Sequence, residues 1–257
     1  MGGINSPLRG WMGGKYRLAG RIIERIPEHV CFCEPFAGAA WILFRKEPSK
    51  VEVLNDVNLD LVTLYRVVQN HLEEFVRYFK WMLVSRDEFQ RLKRVRPDTL
   101  TDIQRAARFF YVQRSCFGGR INSPAFGTTT TRPPKLNLLR VEEELSAAHL
   151  RLAQVYLESL PYAQVIERYD RPHTFFFVDP PYWGCENDYG KDVFGREDFA
   201  HLADLLAGIQ GKFLLTLNDR PEVRELFGAF RMEPVSLKYS VNKDAPTQAQ
   251  EVMIRNY

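Results

Sequence analysis

Cysteine is scarce in this 257-residue chain. Cys31, Cys33, Cys116 and Cys185 form no C-x-x-C pair, which excludes a disulfide scaffold and a thiolate zinc site as organising features. The five histidines do not cluster at ligand spacing either, so no metal is expected. Long apolar runs are missing too. Runs such as Thr174 to Val178 and Phe213 to Leu217 are strand-sized, far below the roughly 20 residues of a membrane span. The N-terminus carries no charged-then-apolar secretory pattern, and no internal repeat or low-complexity tract interrupts the sequence. Absence of a G-x-G-x-x-G fingerprint speaks against a dinucleotide-dependent oxidoreductase. Net charge is only +3, too little by itself to announce a polyanionic partner.

What is present is a globular composition, 45% hydrophobic and 26% charged, in a chain long enough to bury a large core without staples. The charge is unevenly placed. Twelve Lys/Arg and four acids lie between Arg86 and Arg140, an excess of +8 that leaves the remainder at −5. This pattern fits a basic module that meets phosphates, set into a mildly acidic body.

Hydrophobic spacing implies strand–helix alternation at both ends of the chain. Strands are expected at Val30 to Glu34 and Val51 to Asn55, with helices from Gly38 to Arg45 and Leu59 to Val68. From Phe75 to Val112 apolar residues recur at helical intervals, Phe117 to Thr131 reads as loop or hairpin, and Val141 to Glu158 as one helix. Alternation resumes with a strand at Phe175 to Val178, a helix from Glu197 to Ile209 and a strand at Phe213 to Leu217. Two closing strands, Pro234 to Ser240 and Glu251 to Asn256, should pair antiparallel. The expected fold class is α/β: a Rossmann-like, doubly wound mixed sheet with an antiparallel final strand, built from residues 1–70 and 160–257. A mainly helical recognition domain with a β-hairpin is expected at 71–159.

Two motifs carry chemistry. Glu34-Pro35-Phe36-Ala37-Gly38-Ala39-Ala40 ends a strand in a small-residue turn, and Asp56 follows 18 residues beyond Gly38 at the end of the next strand. A glycine turn over a helix N-terminus, with an acid at that distance, suits a ribose-containing cofactor; Asp56 or Asn58 could equally cap a helix. The second motif is Asp179-Pro180-Pro181-Tyr182, directly after an apolar strand. Two prolines force the chain out of the sheet at its carboxyl edge, where open α/β sheets bind ligands. A carboxylate, a restricted carbonyl and an aromatic face together suit a flat group bearing an exocyclic amine.

In this order, Trp11-x-Gly13-Gly14-Lys15, Glu34-Pro35-Phe36-x-Gly38, Asn55-Asp56-x-Asn58 and Asp179-Pro180-Pro181-Tyr182 resemble the S-adenosyl-L-methionine (AdoMet)-dependent DNA adenine-N6 methyltransferases of the GATC-methylating type. The resemblance extends through Phe213 to Asp219 and to Tyr239-Ser240-x-Asn242 and Glu251 to Ile254. It implies a site-specific enzyme that methylates N6 of an adenine flipped out of duplex DNA. Asp179, Pro180, Pro181 and Tyr182 would then hold the adenine. Trp11, Gly14, Lys15, Glu34, Phe36, Gly38, Asp56, Asn58 and Asp179 would surround the cofactor. The stretch Arg114 to Gly127 matches the DNA-facing hairpin; Arg120 and Asn122 are types that read base edges, and Arg105, Arg108 and Arg114 add positive charge toward the phosphates. One departure is Ala40, where the family carries a second glycine, and a slightly altered turn is expected there. The resemblance also implies a prokaryotic or phage-type, cytoplasmic, nucleoid-associated protein. Cytosine-N4, RNA or protein-amide methylation would use a similar amine-presenting site and stands as the alternative.

Overall fold

The strand Thr174–Val178 has all five residues buried, and its side chains alternate between two cores. Phe175 and Phe177 join one apolar cluster, whereas Phe176 and Val178 join the other. A sheet covered on both faces follows from this. The computed structural model describes residues 3–119, 122–186, 190, 193–239 and 247–257. It contains a seven-stranded sheet of β1 (Cys31–Glu34), β2 (Val51–Asn55), β3 (Val155–Glu158), β4 (Thr174–Val178), β5 (Lys212–Asn218), β6 (Arg231–Tyr239) and β7 (Thr247–Arg255). The order is β3-β2-β1-β4-β5-β7-β6. The first five strands pair in parallel, and β7 inserts antiparallel between β5 and β6; the antiparallel pairing of the two closing strands is as the sequence implies. Strand order reverses between β1 and β4, which opens a crevice above their carboxyl ends.

The helices are α1 (Ala19–Ile23), α2 (Trp41–Arg45), α3 (Leu59–Asn70), α4 (Leu72–Phe79), α5 (Arg86–Arg94), α6 (Asp102–Ser115), α7 (Val141–Leu152), α8 (Tyr162–Tyr169), α9 (Arg196–Gly208) and α10 (Pro221–Leu226). Among the described residues, no helix is long and apolar enough to cross a membrane. Helix α3 starts on an Asn58 cap that accepts from the amides of Asp60 and Leu61. A Thr101/Gln104 capping box starts α6. Phe75, Phe79 and Phe110 pack with ring centroids 5.1 to 5.6 Å apart and join α4 to α6. They belong to the same apolar cluster as Phe32 and Phe175 of the sheet.

Two expectations are corrected. The helix expected over Val141 to Glu158 stops at Leu152, because Val155–Glu158 pairs in parallel with β2. Gln69 of α3 stabilises that break by donating its Nε2 to the carbonyls of Leu152 (2.6 Å) and Val155 (2.9 Å). Residues 155–158, placed in the recognition segment by the sequence, therefore belong to the sheet. The helix expected from Gly38 begins at Trp41 instead, since Gly38 and Ala40 both adopt left-handed backbone, with φ of 46° and 50°.

The segment read as a loop or hairpin closes on an antiparallel bridge between Cys116 and Phe126, flanked by Phe117 N–H to Ala125 O and Gly127 N–H to Ser115 O. Its base presses on the N-terminal loop. Gly119 has φ +68°, and a Cβ there would lie 1.8 Å from the Gly10 carbonyl oxygen. Gly119→Ala should lower the urea midpoint by the equivalent of about 2 kcal/mol or more, from left-handed strain and displacement of the loop. An unchanged midpoint would mean that the two segments do not rest on each other.

Candidate active site

At the topological switch point the structure forms a cavity of about 570 Å³. Separated segments of the chain line it, among them Trp11 to Lys15, Glu34 to Ile42, Asn55 to Asn58, Leu160 to Tyr162, and Asp179 with Pro181. Each strand in turn delivers a polar group at its carboxyl end.

From β1, Glu34 is 1% exposed and accepts from the Leu43 amide at 2.9 Å, tying the strand to α2. Burial pushes its carboxyl up to about 8, against a partial offset from that amide, so it is largely neutral at pH 7. Gly38 is constrained from two sides. Its carbonyl accepts from the Tyr65 hydroxyl at 2.6 Å, and a Cβ on it would stand 3.1 Å from Trp11 Nε1. Ala40 adopts the left-handed conformation that glycine takes freely, at a cost of about 1 kcal/mol.

From β2, Asp56 accepts from the Gly38 amide (3.0 Å, Oδ2) and the Asn58 amide (2.9 Å, Oδ1). Burial raises its pKa, and these two amides counteract the rise. A lone pair on each oxygen remains directed toward other donors. Asn58 lines the same cavity, but its side-chain oxygen caps α3.

From β4 comes Asp179, held by two partners. The Lys15 ammonium, itself 5% exposed, lies 2.6 Å from Oδ1 and 2.7 Å from Oδ2, and the Thr216 hydroxyl donates to Oδ1 at 2.8 Å. Lys15 Nζ also donates to the Gly13 carbonyl at 2.8 Å. Burial raises the Asp179 pKa; the Lys15 charge and hydrogen bond, then Thr216, pull it back, while the charge of Glu251 on β7 pushes it up. Pro180 is buried, and the half-buried Tyr182 ring has Lys15 Nζ 4.8 Å from its centroid.

An aromatic wall closes one end of the cavity. Phe36 stacks on Tyr162 (5.3 Å) and meets Phe194 edge-on (5.8 Å), and the Tyr162 hydroxyl donates to Asp198 at 3.0 Å. Sequence reasoning missed Tyr162, Phe194, Asp198 and Thr216. Tyr162 was hidden because β3 read as helix; a strand there would have put Pro161 and Tyr162 at the same sheet edge.

The recognition residues fare differently. Arg114 is 5% exposed and bonded to Glu144 at 2.9 Å and to the Pro7 carbonyl at 3.3 Å, so it braces the interior. Arg105 and Arg108 both pair with Asp60 of α3, and Arg108 also donates to the Leu92 carbonyl at 2.9 Å. Their charge is spent on joining α6 to α3. Asn122 is exposed. Arg120 lies outside the described residues.

A doubly wound sheet with an acid after β2, a glycine turn after β1 and a carboxylate–diproline turn after β4 defines a group-transfer enzyme of the Rossmann-like methyltransferase class. The chain belongs to the D12 class of N6 adenine-specific DNA methyltransferases, whose family model matches residues 11–241. It is 25% identical to the type II methyltransferase M.CviBI of Paramecium bursaria Chlorella virus NC1A, over 98% of this chain and 99% of that protein. It is 26% identical to the DNA adenine methylase of Escherichia coli K12, over 93% of this chain and 90% of that one. It is also 28% identical to the DNA N-6-adenine-methyltransferase of Escherichia phage P1, where the match spans 93% of this chain and 33% of the longer relative.

The Glu34 pKa of about 8 lies above the 4.5 of an exposed glutamate, so the stability tied to its protonation is present in acid and lost as pH rises from 4.5 through about 8. Glu34→Gln keeps the acceptor for Leu43 and cannot ionise. Its melting temperature should fall less than that of the parent between about pH 5 and about pH 8.5. Equal slopes would contradict a buried neutral carboxyl.

Proposed function

We propose that the chain transfers a methyl group from AdoMet to N6 of an adenine flipped out of duplex DNA at a defined sequence, in the cytoplasm of a prokaryotic or phage-infected cell. The observation that carries this reading is the Asp179 carboxylate, set at the carboxyl edge of β4, beside the cavity and oriented by Thr216.

The cavity residues fit such a cofactor. Asp56 has lone pairs left for two ribose hydroxyls, the Phe36–Tyr162 stack with Phe194 offers a wall for a purine ring, and Gly38 has no Cβ between the turn and Trp11. Trp11, Gly14 and Glu34 complete its surroundings. When bound, AdoMet supplies a strongly electrophilic methyl group. Lys15 borders the cofactor's methionine end and is itself held by Asp179 and the Gly13 carbonyl, so its role is to oppose the rise that burial imposes on the Asp179 pKa.

The adenine N6 lone pair is delocalised into the ring and is a poor nucleophile. Asp179 and the Pro180 carbonyl each accept one N6 hydrogen, and Tyr182 stacks on the base; this localises the lone pair and aims it for in-line attack. A carboxylate offers about four acceptor directions. Lys15 takes one on Oδ2 and Thr216 one on Oδ1, which leaves acceptor capacity for the amine. Pro181 keeps the turn from rejoining the sheet. On the DNA side, Arg120 and Asn122 of the hairpin remain the base-reading candidates, and positioning of the backbone falls to other cations of the basic segment.

A hydrogen bond to a charged group is worth about 1.5–3 kcal/mol. Asp179→Ala should therefore slow N6-methyladenine formation by at least roughly ten- to hundredfold, measured by nucleoside mass analysis on duplex DNA. Methylation at the parental rate would refute the assignment. Expression in a host lacking adenine methylation, followed by sequencing for modified adenines, would identify the target.

A further inference from the structure

The strand Phe213-Leu214-Leu215-Thr216-Leu217 is apolar except for one hydroxyl, and Thr216 is 0% exposed. A buried hydroxyl is costly unless it is bonded, so its partner matters. That partner is Asp179 Oδ1, at 2.8 Å. The parallel register explains the meeting: Val178 of β4 stands opposite Leu215 of β5, and the next residues, 179 and 216, emerge side by side. Two residues further along the same face of β5, Asn218 makes a reciprocal pair with the backbone of Trp183. Its Oδ1 accepts from the Trp183 amide at 3.0 Å, and its Nδ2 donates to the Trp183 carbonyl at 2.9 Å. Residues 179 and 183 are thus both fastened to one strand, and the two prolines between them have little conformational freedom.

We propose that Thr216 and Asn218 are positioning residues, a clamp on β5 that holds the arch 179–183 and sets the direction of the Asp179 carboxylate. Threonine suits the task because its β-branched side chain is stiff at χ1, so the strand itself fixes where the hydroxyl points. With Thr216 on Oδ1 and Lys15 bridging both oxygens, rotation of the carboxylate is blocked and the acceptor direction on Oδ2 is preset. Displacement of a positioning group by about 1 Å can cost on the order of a hundredfold in rate without weakening substrate binding in proportion. The proposal rests on the reading of Asp179 as the acceptor of the adenine amine.

The test uses the full chain, AdoMet and duplex DNA carrying the target adenine. Thr216→Val removes the hydroxyl at nearly constant shape, and Thr216→Ser restores it. Thr216→Val should lower kcat about tenfold or more while the KM for DNA and the calorimetric Kd for AdoMet stay within about twofold, and Thr216→Ser should recover most of the loss. Asn218→Ala, which frees the far end of the arch, should show the same split and serves alone if Thr216→Val does not fold. Full kcat in both Thr216→Val and Asn218→Ala, beside an inactive Asp179→Ala, overturns the clamp and leaves the acceptor assignment standing. Full activity in Asp179→Ala overturns the assignment itself. A parallel loss of kcat and cofactor affinity that serine does not rescue would mean a general structural role and would also overturn the clamp.

Discussion

One ion pair organises this molecule. Lys15 and Asp179 are separated by 164 residues in the chain and meet at 2.6 Å beneath the cavity, with the lysine almost wholly removed from water. Burial raises the Asp179 pKa, and the Lys15 ammonium opposes that rise. The pair requires the N-terminal loop to lie over the ends of β1 and β4, and the small residues of the two glycine-containing segments meet that requirement. A Cβ on Gly14 would come within 2.9 Å of the Trp41 indole, and one on Gly38 within 3.1 Å of Trp11. Side-chain volume, rather than any ligand, decides where the ammonium is held.

The same loop links chemistry to recognition. Trp11 meets Phe109 of α6 edge-on at 6.0 Å, Gly10 abuts Gly119 at the base of the hairpin, and Arg105 and Arg108 fasten α6 to Asp60, four residues beyond Asp56. The basic segment shares the apolar cluster of the sheet. A shift of the hairpin base would therefore be felt at Trp11 and Lys15 through packed contacts, since close-packed interiors transmit displacement.

Much of the framework was legible in the residues. The doubly buried strand Phe175 to Val178, the diproline exit after it and the Gly38–Asp56 pair place a ligand crevice from local chemistry alone, and the structure brings those residues to one cavity. Strand β3 was not legible: its four residues continue the apolar pattern of α7, and only β2 alongside and the Gln69 amide stop the helix. The partners of the arginines were not legible for a similar reason. Composition records that Arg105, Arg108 and Arg114 are cationic, but whether a guanidinium faces solvent or a carboxylate depends on Asp60 and Glu144, distant in sequence.

The sequence by itself determined the class of fold, the family and the turn that bears Asp179, because these rest on periodicity, proline and glycine geometry and short motifs that act over a few residues. Only the tertiary structure decided which charges were consumed internally, that Thr216 and Asn218 grip the turn, and that the lysine of the first motif serves the aspartate of the last. Such pairings depend on register and close approach between strands, and no local pattern encodes them.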